Sequence, residues 1–233
     1  MGVVDRKVKL FENIERLRRV ERGLPPNRDL VAVRAALEDE LGETVSRRLA
    51  AALLGVSHAA LERWIATGDL PLVFTVTGAR GVPVAELLEL REAVEIERRE
   101  GRRTRHVLEP TMARARERAD ALDVEELVPA MTAEGGGHER AGRRSLAYHR
   151  ALARSLDQRM LDDALRQTWK WRLQGRIDAR YADSWERLLR RPLADVRKAI
   201  SEDDQRARDL RQSSPFAGML GEPERRKILE WVR

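Results

Sequence analysis

No recognisable constellation of side chains for making or breaking covalent bonds stands out in this sequence. It contains no cysteine, so thiolate nucleophiles, disulfides and cysteine metal sites are ruled out. Its histidines, His58, His106, His138 and His149, stand apart with no partner at metal-ligand spacing. No nucleophile elbow, phosphate-binding loop or Gly-rich dinucleotide loop is present. Catalytic residues, metal ligands and cofactors are therefore not expected. The dense signal is non-covalent. Residues 47–64, RRLAAALLGVSHAALERW, satisfy the demands of a helix-turn-helix. Ala51 is small enough for a second helix to cross at close range. Gly55 tolerates a left-handed backbone at the turn. Ala50, Leu54, Val56, Leu61 and Trp64 occupy the positions that pin the helices together, and Ser57 is placed to cap the second.

The neighbouring sequence extends this pattern. LAAALLGVSHAALERWIATGDLP is followed by a hairpin signal over Leu72–Val82 and then by PVAELLEL. Residues 44–92 thereby resemble the excisionase and MerR-like winged helix family. The resemblance implies that the helix from Ser57 to Thr67 enters the major groove of double-stranded DNA. With Leu61, Trp64 and Ile65 facing inward, the outward set is Ser57, His58, Ala59, Glu62 and Arg63. Arg63 would meet guanine O6 and N7, Ala59 a thymine methyl, and Glu62 the N4 amino group of cytosine. An alternative role for Glu62 is a salt bridge that orients Arg63. His58, near a helix start, reads as a surface residue rather than a metal ligand. Arg47 and Arg48 fit phosphate contacts. Arg80 at the hairpin tip is the natural wing residue, with Thr77 beside it.

The elements that must position these residues read almost entirely as helix. Val3, Leu10, Ile14 and Leu17 mark an amphipathic first helix ending at Gly23. Asn27 is a plausible cap for a second helix that runs to about Leu41 and closes at Gly42. Leu72–Pro83, LVFTVTGARGVP, is the one hairpin signal, with Gly-Ala-Arg-Gly as its turn. Pro83 suits the start of the following helix. Further helices are expected at about Met112–Leu122 and at Val124–Met131, the latter capped by Asp123. Residues 133–142, AEGGGHERAG, read as a linker, because adjacent glycines are costly to order. Beyond it, Leu161, Leu165, Trp169 and Leu173 form one helical stripe ended by Gly175. Asp178 caps a helix burying Tyr181, Trp185, Leu188 and Leu189, another helix begins near Pro192, and Pro223 starts a last one. The expected fold is mainly α: N-terminal helices (1–43), a winged helix-turn-helix with one short β-hairpin and following helices (44–132), the linker, and a helical C-terminal domain (143–233).

Over 233 residues, 45 Lys and Arg against 39 Asp and Glu leave a net charge of +6, which favours polyanions through counterion release. No apolar run approaches a membrane span, and the charged start lacks a leader's apolar core, so a cytoplasmic location is expected. A single reader of this size contacts few base pairs, which favours a homodimer. The tail DLRQSSPFAGML is turn-rich and aperiodic. Arg211, Pro215, Phe216, Met219 and Leu220 are its candidate partner-binding residues. The layout resembles a DNA-binding antitoxin, in which the reader represses an operon and the tail blocks a toxin. Competing readings are a stand-alone regulator whose C-terminal domain oligomerises or senses a ligand, an excisionase-like recombination factor, and a helical protein-interaction scaffold.

Overall fold

A computed structural model describes residues 2–74, 78–99, 108–128 and 137–232, with the side chains of 93–99, 108–112, 114 and 115 excepted. The chain is mainly helical, 71% helix, with one small three-stranded antiparallel sheet. It divides into two compact units, one of Met1–Gly23 with Val33–Glu117 and one of Leu24–Ala32 with Arg118–Arg233.

In the first unit, α1 (Val3–Arg22) buries Leu10, Phe11 and Ile14. Val3, expected on the same stripe, is exposed. The stretch of α2 (Arg28–Leu41) from residue 33 onward belongs to this unit and ends at Gly42, whose φ is 90°. A short strand β1 (Thr44–Val45) follows, which the sequence reading lacked. Next come α3 (Arg47–Leu54) and α4 (His58–Thr67), the hairpin strands β2 (Val73–Phe74) and β3 (Arg80–Pro83), α5 (Val84–Arg99) and α6 (Leu108–Ala121). The sheet order is β1-β3-β2, with Val45 opposite Val82 and Val73 opposite Gly81. Pro83 ends β3 instead of opening α5. Its Cα partner is Thr44, and the first α5 amide, of Val84, donates to the Glu43 carbonyl.

The core of this unit joins Phe11 and Ile14 of α1, Ala50 and Leu54 of α3, Leu61 and Trp64 of α4, Val82 of β3, and Leu87 and Leu88 of α5. Charge is buried beside it. Glu92 of α5, 4% exposed, accepts from Arg18 and lies 2.5 Å from Arg22, both on α1. Arg34 spans Glu21 at 2.7 Å and Glu38 at 2.8 Å.

The second unit is built from α7 (Gly137–Ser155), α8 (Gln158–Leu173), α9 (Ala179–Leu189), α10 (Leu193–Ser201), α11 (Gln205–Arg211) and α12 (Glu222–Trp231). Asp157, Asp178 and Asp204 cap α8, α9 and α11, each accepting from an amide inside its helix. The α8 stripe buries Leu161, Leu165 and Trp169 but leaves Leu173 61% exposed. On α9, Trp185, Leu188 and Leu189 are buried and Tyr181 is not. Three expectations are corrected here. Val124–Val128 forms turns, with Asp123 accepting from the Glu125 and Glu126 amides, and residues 129–131 lie outside the described residues. Of the expected linker, 137–142 is already the first part of α7, while 133–136 lie outside the described residues. The tail, finally, packs into the core.

That last correction has a clear physical cause. Phe216 is fully buried, edge-on to Trp185 with ring centroids 5.7 Å apart. The Tyr148 hydroxyl of α7 donates to the Phe216 carbonyl at 2.8 Å and accepts from the Leu220 amide at 3.1 Å. Arg211, Pro215 and Leu220 are buried and Met219 is partly so. Tyr148 and local turns together thus satisfy backbone groups that a regular element would have paired, which is how an aperiodic segment can be interior. These residues pack into this unit's own interior, Met219 only in part.

Candidate nucleic-acid interface

The turn between α3 and α4 is fixed by three residues. Ser46 caps α3 by accepting from the Leu49 amide at 3.3 Å. Gly55 takes φ 68°, and the Val56 amide reaches back to the Ala51 carbonyl at 3.0 Å. This is the left-handed closure that glycine permits without steric cost. Ser57 caps α4 through the Ala60 amide at 3.2 Å. At the far end Gly68, φ 76°, stops α4, and Asp69 is clamped by Arg116 of α6, whose Nε donates at 2.8 Å.

With Leu61 and Trp64 buried, α4 presents Ser57, His58, Ala59, Arg63, Ala66 and Thr67 as exposed residues. Glu62 is half-buried and engaged. Arg47, at the start of α3, donates to both its carboxylate oxygens at 3.1 and 3.0 Å, and His58 Nε2 lies 3.6 Å away. The salt bridge expected from Glu62 to Arg63 is therefore made with Arg47, and Arg47 is an ion-paired residue, not a free phosphate clamp. Arg48, its neighbour, is exposed.

On the hairpin, Gly78 has φ 78° and Arg80 is exposed. Phe74 faces Arg80 across the strand register, and the Arg80 guanidinium sits 5.1 Å from the Phe74 ring centroid. Phe74 is 70% exposed, the second most open large hydrophobic side chain among the described residues. The sequence reading passed over it. The expected Gly-Ala-Arg-Gly turn is corrected here: Arg80 and Gly81 belong to β3, and Arg80 stands opposite Phe74, where facing residues on antiparallel strands interact. Thr77 lies outside the described residues. Gly81 is required for a different reason: a Cβ there would stand 2.9 Å from Thr44 Cβ, so β3 approaches β1 closely.

Of the candidate residues, then, Arg47, His58 and Glu62 meet in one cluster on α3 and α4. Arg80 instead meets Phe74, and Arg211, Pro215, Phe216, Met219 and Leu220 belong to the other unit's interior. The cluster holds two basic groups and one carboxylate. Fold and site together define a mainly helical protein whose first unit exposes a capped helix behind a glycine turn, beside a short hairpin. Compared with known families, curated proteins and solved structures, the chain matches none of them.

Proposed function

We propose that the first unit is a winged helix-turn-helix that binds double-stranded DNA with sequence preference, and that the chain regulates transcription. The observation that carries this reading is the exposed face of α4. Its core side is locked by Leu61 and Trp64, its start is capped by Ser57, and its open side carries short polar or small residues around one long guanidinium, Arg63. Such a face admits close approach to base edges, with Arg63 as the bidentate guanine reader. Arg48 supports it at the backbone. The Arg80–Phe74 pair gives the hairpin a cation over an apolar plate, suited to phosphate and sugar beside the groove. A net charge of +6 agrees in sign.

Neutralisation of a toxin by the tail is not part of this proposal, because Phe216 and its neighbours are committed to the interior. The test is selection of bound sequences from a random duplex library, followed by affinity measurements at two salt concentrations. Wild-type protein is expected to enrich one motif. Arg63→Ala is expected to lose about 1–3 kcal/mol on that motif while binding random DNA nearly as before. Failure to enrich any motif, or equal binding of the motif by Arg63→Ala, overturns the assignment.

A further inference from the structure

The second unit contains a cavity of about 420 Å³ between α7, α8, α12 and the segment after α11, within the range of small-molecule sites. Its lining divides by chemistry. Arg144, Arg211 and Arg225 contribute three guanidinium groups, and no Asp or Glu is among the lining residues. Arg144 spends its Nε on the Val232 carbonyl at 2.8 Å, and Arg211 donates to the carbonyls of Ile200 and Glu202. Carbonyls satisfy hydrogen bonds without cancelling charge. Glu222 does offset Arg225, and Asp203 stands 3.8 Å from Arg211. The wall as a whole remains cationic.

Two observations favour an anion beside these guanidinium groups. Burial pulls the Arg211 guanidinium below its ordinary pKa, with Arg208 and Arg150 adding repulsion against the pull of Asp203. An anion in the cavity would relieve that penalty. The Ser213 hydroxyl, also on the lining, is shielded from solvent and has no hydrogen-bond partner among the described residues, a cost that native structures normally avoid. The lining also has an apolar part. Trp171 and Ile228 belong to it, and so does Leu229, which is 49% exposed.

We propose that this cavity binds a small organic monocarboxylate with an aromatic or branched apolar body. The carboxylate lies near the guanidinium groups of Arg144, Arg211 and Arg225, and the body lies near Trp171 and Leu229. His149, on the same lining, is held neutral between the Ser145 carbonyl and the Ser214 hydroxyl, each at 2.7 Å. It adds a polar surface without a competing charge.

Calorimetric titration of the full chain with 2-naphthoate tests this, with 2-naphthalenemethanol as the neutral probe of the same shape. Saturable one-to-one binding of the naphthoate is expected, with the alcohol weaker by about tenfold or more. Arg144→Gln is expected to weaken naphthoate by a similar factor. Ala217→Trp, an exposed lining position, fills the mouth and is expected to abolish binding while leaving the thermal midpoint in place. Absence of saturation at low-millimolar naphthoate overturns the proposal. So does equal binding of the alcohol, or undiminished binding by Ala217→Trp.

Discussion

Arg47, the first residue of α3, grips Glu62 on α4 through one nitrogen shared between both carboxylate oxygens, at 3.1 and 3.0 Å. The pair ties the two helices together. It also engages one acidic group of α4 and one basic group of α3. Both side chains keep a third or more of their surface open, 40% and 34%, so solvent screens the attraction and the pair adds little stability. Its consequence lies in how charge is presented to a polyanion.

Glu62→Gln keeps the side-chain shape and removes the carboxylate. The urea midpoint is expected to shift by less than about 1 kcal/mol equivalent. Under the DNA-binding proposal, Arg47 becomes available to a phosphate. The slope of log affinity against log salt is then expected to steepen by about 0.9, one added phosphate contact. Fluorescence anisotropy at several salt concentrations reads this directly. An unchanged slope with lost preference at a single base position would place Glu62 on a base edge instead.

Two glycines are expected to resist substitution for different reasons. Gly55 has open space around a built Cβ but a φ of 68°, so Gly55→Ala costs about 1 kcal/mol of left-handed strain, and Gly55→Asn less. Gly81 has ordinary φ, but its Cβ would collide with Thr44 and come within 3.3 Å of the Val45 carbonyl. Gly81→Ala is expected to cost about 1–3 kcal/mol and Gly81→Asn no less. Urea denaturation of the four variants checks the contrast; rescue of position 81 by asparagine would refute the steric account.

What could be read from the sequence was what local spacing dictates. Ser57, Gly55, Leu61 and Trp64 occupy the turn and the buried face as their types require, and Asp178 caps its helix as expected. The misreadings were non-local. β1 is two residues long and exists because Val45 pairs with Val82 far along the chain, which no periodicity announces. The partner of Glu62 depends on how α3 crosses α4, so Arg47 could not be chosen over Arg63 by spacing. The tail lacks periodicity because Tyr148 and Trp185, not a ladder, hold it; polar composition was mistaken for exposure. Gly137 and Gly142 lie in α7 although glycine is a poor helix former, an instance of packing outweighing propensity.

The buried carboxylate of Glu92 is expected to be the most sensitive acidic position of the first unit. Burial alone would lower the pKa of Arg18, yet Glu89 and Glu92 outweigh it and the guanidinium is held more firmly charged than usual. Glu92→Ala strips Arg18 and Arg22 of that carboxylate, at a cost of about 3 kcal/mol. Arg18→Met in the same background is expected to recover part of the loss, since it removes a poorly exposed charge then left with the more open Glu89. Circular dichroism during urea titration measures both. A single variant as stable as wild type would show that water already reaches the pair.

His149 makes the second unit acid-sensitive. Burial lowers its pKa from 6.5 to about 4, and repulsion from Arg211 adds to this, while its bond to the Ser145 carbonyl pulls the other way. The unfolded chain therefore binds a proton between those values that the folded chain refuses, and stability rises with pH across that window. The contribution is fully present above pH 6.5 and is lost progressively as the pH falls toward 4, by roughly 3 kcal/mol in all. Protonation would also turn the Nε2 acceptor of the Ser214 hydroxyl into a donor, loosening the segment that carries Phe216. Urea midpoints at a series of pH values are expected to fall through this range in wild type. In His149→Gln they should fall less steeply from a lower plateau, since the amide keeps a polar contact but does not titrate. The same slope in both proteins would remove His149 as the cause and leave the acid sensitivity to the carboxylates.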